Sequence, residues 1–214
     1  MRNVLTFLLL LFSLLCNGQS PKLFTTDKEL SSSLINQIYQ DRNGFIWIAT
    51  EDGLNRYDGA KFTIYKHEPN NEHSLAHNFV RTVFEDSKGH LLIGTYIGIQ
   101  MYDPATDNFT PLAKLEDTGE TLESNINSFI ERKNGEIWVS GNVLCKLDIK
   151  DHLLTVRKVD IAVTSLGSLF EDKKQNVWMA KGEEGVYQLT PDNQLTLHLS
   201  KDNGYVKSIC EDQR

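Results

Sequence analysis

Short apolar stretches alternate with turn signals along this chain, and the alternation itself repeats. Aligned on its Asp/Gly turns, a first apolar column holds Ile35, Val80, Ile126, Leu166 and Val206. Three residues on come Ile38, Val83, Phe129, Leu169 and Ile209, followed at once by Tyr39, Phe84, Ile130, Phe170 and Cys210. A next strand centres on Trp47, Leu92, Trp138 and Trp178, each flanked by Ile, Leu, Val or Met. A third carries Leu54 and Tyr57, Ile99 and Tyr102, Leu144 and Leu147, Val186 and Leu189. A weaker fourth centres on Phe62, Phe109, Leu154 and Leu195.

The first column recurs every 40 to 46 residues. Four short strands in a unit of that length are the pattern of a propeller blade. "SLINQIYQD" invites a helical reading, but the β-branched and aromatic content and a turn about every eight to twelve residues favour strands. Asp41 to Gly44, Asp86 to Gly89 and Asn134-Gly135 read as hairpin turns, with Gly taking the positive φ. The predicted fold is therefore all-β. It is a β-propeller of four-stranded antiparallel blades, incomplete, with about four blades plus one strand of a fifth.

The repeats fall at about 31–66, 76–112, 122–158 and 162–199, with a fifth starting in 203–214, so that 19–214 is a partial propeller. "FTTDKE" at 24–29 is read as a strand leading into the first blade, the kind that closes a ring from outside. An unclosed arc would bare apolar faces at its first and last blades, Ile38 and Ile209 among them, and would lose stability through its open edges.

The first residues differ from the rest. Arg2 is followed by an apolar run over 4–15 and then by "CNGQS". A charged start, a short apolar core and a small-residue zone make 1–18 a secretory signal peptide, cut after Gly18. Lipidation at Cys16 competes, with bulky Leu15 against it; an uncleaved anchor would need about 20 apolar residues. The net charge of −7 is spread rather than blocked, which argues against direct nucleic-acid contact. Only Cys145 and Cys210 remain after cleavage, at unrelated positions, so no disulfide framework is expected. Cys210, in an apolar column, is expected to be a buried, inert thiol.

"YQDRNGFIWIATEDGLNRYDG", "FEDSKGHLLIGTYIGIQMYDPATDNF" and the connector "YKHEPNNEHSLAHNFV" resemble the two-component-regulator propeller repeat. The resemblance spans residues 22 to 212. It drifts in the third and fourth repeats, where Arg132 replaces the turn Asp, Gln175 the turn Gly, and "LT" at 189–190 the Tyr-Asp pair. That family builds the periplasmic sensor of hybrid two-component systems in gut Bacteroidetes. The resemblance implies a non-enzymatic, glycan-responsive sensor segment in the periplasm, of a parent anchored in the inner membrane. The parent's further blades, β-sandwich, membrane helix, kinase, receiver and DNA-binding domain are absent here, so the chain reads as a fragment. Implied partners are an oligosaccharide ligand, the remainder of the propeller and sensor, and a second copy in a homodimer.

Other chemistries fit the residues less well. Asp41, Gly44 and Trp47 approach the Asp-box of sialidase propellers, but no carboxylate pair stands out as acid and nucleophile. His67, His73 and His77 lie in a Pro- and Asn-rich connector without further ligands at zinc spacing. Asp41-Arg42-Asn43-Gly44 starts like a calcium loop that nothing completes. No metal and no cofactor is expected. The alternative function is a secreted propeller enzyme acting on polysaccharide.

Strand alternation locates the expected ligand face. Loops after the first and third strands of a blade share one face and are tight here. Those after the second strand, and those between blades at 66–78 and 113–125, share the other and are long. Binding usually sits on such loops. The candidate ligand-binding residues are Glu51, Asp52, His67, His77, Asn78, Tyr96, Glu183 and Glu184.

Overall fold

The computed structural model describes residues 23–26, 29–200 and 206–212. The signal peptide read into 1–18, with Arg2 and Cys16, lies outside the described residues. Blade one is β1 (Ile35–Gln40), β2 (Ile46–Thr50), β3 (Gly53–Tyr57) and β4 (Phe62–Tyr65). Blade two is β5 (Val80–Glu85), β6 (Leu91–Thr95), β7 (Ile99–Asp103) and a two-residue β8 (Asn108–Phe109). The connector that follows carries β9 (Lys114–Leu115). Blade three is β10 (Ile126–Glu131), β11 (Ile137–Gly141), β12 (Cys145–Lys150) and β13 (Leu153–Lys158). Blade four is β14 (Leu169–Glu171), β15 (Val177–Lys181), β16 (Gly185–Leu189) and β17 (Leu195–Ser200). Within each blade the strands pair antiparallel in chain order. The innermost strands β1, β5, β10 and β14 touch in succession around the axis.

Each blade alternates two apolar sets, one for each neighbour, because successive strand residues point to opposite faces. Trp47, Ala49 and Leu54 of blade one meet Val83, Ile93 and Phe109 of blade two. The other face of blade two sends Leu92, Ile99 and Met101 against Phe129, Val139 and Val156 of blade three. Trp138 and Leu144 of blade three then meet Leu169, Val177 and Met179 of blade four. Burying a side chain of this size contributes about 1.5–3 kcal/mol. Ile38 sits in the same column as buried Val83, Phe129 and Leu169, yet is 62% exposed. Its face of blade one is turned away from blade two.

Polar contacts fix how the packed blades align. The backbone N–H that follows the turn position donates to a carboxylate ending the next blade's inner strand. Arg42 donates to Glu85 at 2.8 Å, Ser87 to Glu131 at 2.6 Å, and Lys133 to Glu171 at 2.7 Å. Side chains reinforce all three: Arg42 Nε lies 2.6 Å from Glu85, Ser87 Oγ donates to Glu131 at 2.5 Å, and Arg132 Nε lies 2.8 Å from Glu171. Between blades one and two, Arg56 sits over the rings of Phe45, Trp47, Tyr65 and Tyr102. It also donates to Tyr102 Oη and to Asp107. Burial opposes ionisation of Asp107, but hydrogen bonds from Tyr102 and Tyr65 and the Arg56 charge hold its carboxyl below the usual range.

The turn aspartates are structural. Asp41 Oδ1 accepts the backbone N–H groups of Asn43 and Phe45, and Oδ2 accepts the Trp47 indole N–H at 2.8 Å. Asp172 repeats the scheme with Lys174, Asn176 and Trp178. In blade two, where Leu92 replaces Trp, His90 takes the second oxygen of Asp86. In blade three, where Arg132 replaces Asp, Glu136 accepts the Trp138 indole N–H at 3.0 Å, and Arg132 stacks on that ring.

Four expectations need correction. "FTTDKE" forms no strand in its described part: Glu29 and Leu30 N–H groups turn back to Thr25 O, while Asp27 and Lys28 lie outside the described residues. Phe24 instead packs against Tyr57 and Phe62 at the outer edge of blade one. Residues 206–212 form no ladder either. They keep the spacing of an inner strand nonetheless, for Val206 N donates to Gly182 O and Glu211 lies 3.8 Å from Lys173. Cys210 is exposed because that segment has no strand partner, whereas Cys145 is buried and its thiol is pushed up to about 11 by burial. Finally, 113–125 is not only loop: β9 pairs parallel with the outer edge of β13, through Lys114 to Thr155 and Leu115 to Val156.

Two predictions follow from these turns. Gln175 holds a left-handed φ of 66°, where its counterparts Gly44, Gly89 and Gly135 sit at 83–93°. A side chain there costs roughly 1–2 kcal/mol, so Gln175→Gly should raise Tm by about 2–4 °C in calorimetry; an unchanged or lowered Tm would contradict the assignment. The Glu136 carboxyl is held down to about 2, below its ordinary 4.5, first by the Lys146 hydrogen bond and also by those from Trp138 and Asn134. Its contribution is therefore present above pH 4.5 and lost as pH falls towards 2. Denaturant unfolding across that window should show a shallower pH slope in Glu136→Gln than in the wild type, with the two converging at its acid end.

Candidate functional site

The inner strands carry a polar feature that no turn motif announced. The pairing of β1, β5 and β10 with their neighbours skips one residue, between Ile35 and Gln37, Val80 and Thr82, and Ile126 and Ser128. The residues at these bulges are Asn36, Arg81 and Asn127. Bulges re-aim side chains, and here all three line the central channel, a cavity of about 900 Å³. The channel residues also bind blade to blade. Asn36 Nδ2 donates to Val80 O at 2.7 Å and Asn127 Nδ2 to Leu166 O at 2.8 Å. Arg81 Nη1 donates to Asn127 Oδ1 at 3.0 Å. Their signal in the sequence was the column just after the first apolar one, Asn36, Arg81, Asn127, Gly167 and Lys207.

At one mouth of this channel lie the long loops, and the structure sorts the candidate residues there into groups. Asp52 accepts Lys66 Nζ at 2.6 Å and Asn78 Nδ2 at 3.1 Å. Asn78 Oδ1 in turn accepts the His67 N–H at 2.7 Å. Asp52, His67 and Asn78 thus form one network that staples the two ends of the 66–78 connector. Glu51 is exposed, and its backbone N–H donates to Leu34 O.

His77 and Tyr96 form a second group. Their rings lie 5.6 Å apart, with Phe79 6.0 Å from Tyr96 and the Arg81 guanidinium 5.4 Å from Phe79. A run of rings thereby leads from the loop surface down to the channel wall. Tyr96 is 54% exposed. It borders a cavity of about 620 Å³ that also presents Thr121, Glu123, Asn125 and Asn142. Asn125 lines this cavity and the channel alike. The third group, Glu183 and Glu184, is exposed on the channel wall, and Glu184 pairs with Lys181 at 2.8 Å.

The connector imidazoles are turned onto backbone groups. His67 Nδ1 lies 2.9 Å from Leu75 O, His73 Nδ1 3.1 Å from Phe109 O, and His77 Nδ1 accepts the Phe79 N–H at 2.9 Å. Among the described residues no cluster of His, Cys, Asp and Glu has the geometry of a metal site, and no helix is long and apolar enough to cross a membrane.

This chain is 39% identical over 83 residues to histidine kinase P4 of Formosa agariphila, a match covering 36% of this chain and 6% of that protein. In fold it resembles the extracellular domain assigned to a hybrid two component system of B. thetaiotaomicron, with a TM-score of 0.68 and 20% identity. That match covers 84% of this chain and 27% of the solved one. A gluconolactonase of Xanthomonas campestris shares the fold at a TM-score of 0.60 and 13% identity, over 84% of this chain and 66% of the enzyme. The chain therefore spans only a small part of the kinase and about a quarter of the solved sensor domain. Residues 29–52 and 74–96 match the family Two component regulator propeller. Those two segments each run from the lead-in of an inner strand through the second strand of blades one and two, and over them this chain is similar to that family.

Proposed function

We propose that this chain is an exported, periplasmic ligand-binding segment of a hybrid two-component sensor, and that its ligand is a glycan-derived oligosaccharide held on the face of the interblade connectors. The observation that carries the reading is Tyr96: a half-exposed ring, flanked by His77 and Phe79, at the rim of a cavity presenting amide, hydroxyl and carboxylate groups. A sugar offers an apolar face to stack on a ring and hydroxyls for the surrounding polar groups, and ligand sites combine apolar walls with a few placed polar groups. The Asp52–Lys66–Asn78 staple would hold the neighbouring connector ready, so that less ordering is left for binding.

The kinship to a histidine kinase and the fold of a solved sensor domain support this reading over catalysis on polysaccharide. The shared fold with a gluconolactonase does not favour an enzyme, since one fold hosts many functions. Among the candidate carboxylates, Asp52 is tied to Lys66 and Asn78, and Glu184 to Lys181. In the parent, contact with the remainder of the sensor and with a second copy would carry the signal to an inner-membrane kinase.

The test is calorimetric titration of the chain with a panel of oligosaccharides released from polysaccharides. At least one should bind, and Tyr96→Ala should weaken it about tenfold, equivalent to about 1.4 kcal/mol, while Tyr96→Phe keeps most of the affinity. Absence of binding across the panel, or an affinity indifferent to Tyr96→Ala, would overturn the reading.

A further inference from the structure

Two buried polar side-chain atoms, Arg81 Nε and Asn125 Oδ1, are without a hydrogen-bond partner among the described residues. Both belong to residues lining the central channel, one a donor and the other an acceptor. A buried polar group left unpaired costs about 1–3 kcal/mol, and native structures keep few such groups without a role. The Arg81 guanidinium brings a positive charge to the channel wall.

The surrounding charges refine the picture. Lys181 and Lys207 also line the channel, with Glu183 and Glu184 opposing them. Glu184 is engaged by Lys181 at 2.8 Å. Among the described residues, that leaves Arg81 and Lys207 as channel cations without an ion pair, with the exposed Glu183 carboxylate on the same wall. The rest of the lining is amide and hydroxyl, from Asn36, Asn127 and Ser128 among others.

We propose that the central channel, where Arg81 and Asn125 converge, takes an acidic sugar unit, its carboxylate accepting from Arg81 and a hydroxyl donating to Asn125. The proposal rests on the oligosaccharide reading and narrows it to uronate-containing chains. Both side chains form the cavity wall, and ligand binding would require a rotation that brings Nε–H and Oδ1 to its surface. A carboxylate next to hydroxyl groups supplies the acceptor for one and the donor for the other; a neutral sugar has the hydroxyls but not the charge. A bond from guanidinium to carboxylate is among the stronger hydrogen bonds available to a protein. Asn125 also borders the Tyr96 cavity, so a ligand a few units long could stack on Tyr96 and place its acidic unit in the channel.

The experiment compares galacturonate and glucuronate oligosaccharides with the same chains after reduction of their carboxyl groups, all by calorimetry on the full chain. The acidic form should bind at least tenfold tighter, and the advantage should shrink with added salt. Arg81→Gln should abolish the advantage, so that acidic and neutral chains bind this variant within about twofold of each other. Because Arg81 also supports Asn127 and packs on Phe79, Lys207→Gln and Asn125→Asp serve as second variants: both should reduce the preference for acid, and thermal unfolding reports whether each is folded. Equal affinity for acidic and neutral chains would overturn the channel proposal and leave the oligosaccharide reading standing. Binding of neither would overturn both. An acid preference untouched by Arg81→Gln, Lys207→Gln and Asn125→Asp would place the charge recognition elsewhere and overturn this site.

Discussion

A four-stranded sheet that is apolar on both faces buries both of them only when it is packed between two others, and the rest of this molecule follows from that constraint. Trp47 and Leu54 need blade two, Leu92 and Ile99 need blade three, and Trp138 and Leu144 need blade four. At about 25 cal/mol per Å² of apolar surface removed from water, this packing is the main attraction between blades, but it has no direction. Direction comes from the carboxylates Glu85, Glu131 and Glu171, each accepting a backbone N–H from the preceding hairpin turn. One slip of register would break that bond and also reverse every side chain across the sheet.

With both faces spoken for, polar chemistry is left to the inner edge and the loops. At the inner edge, bulges at Asn36, Arg81 and Asn127 turn polar groups into the channel. At one end, the connectors carry Tyr96, His77 and the Asp52 network. The scaffold therefore fixes where a ligand can make specific contacts, and Asn125 joins the two places. The opposite end holds the aspartate-bound turns, whose carboxylates are consumed by their own hairpins and indoles.

How much of this could be read from the sequence depends on how local each feature is. The blades were legible because alternation and turn chemistry act over a few residues: Asp41, Gly44 and Trp47 declare a hairpin by themselves. The turn in blade three was legible only as drift, since the replacement of one carboxylate by Glu136 is a contact of side chains rather than a pattern. Strand β9 could not be read, because its partner is the edge of β13, some forty residues on. The same holds at 24–26 and 206–212, where apolar residues suggested strands but pairing depends on a partner edge that is not beside them among the described residues. Cys210 looked buried for the same reason. Of the site, the loop residues were legible as long loops, and the structure joined Asp52 to His67 and Asn78, and His77 to Tyr96. The channel was missed because Asn36, Arg81 and Asn127 look like the solvated half of an alternating strand until the bulges turn them inward.

The central claim is that ligand is held on the connector face and in the channel of a sensing propeller. Amide hydrogen exchange with and without a bound oligosaccharide tests it most directly, since binding slows local opening where contacts form. The account predicts added protection at 66–78, at Tyr96 and Ile97, and at 121–128, with the turns at 41–45, 86–90 and 172–176 unchanged. Protection confined to those turns, with the connectors exchanging as before, would contradict it.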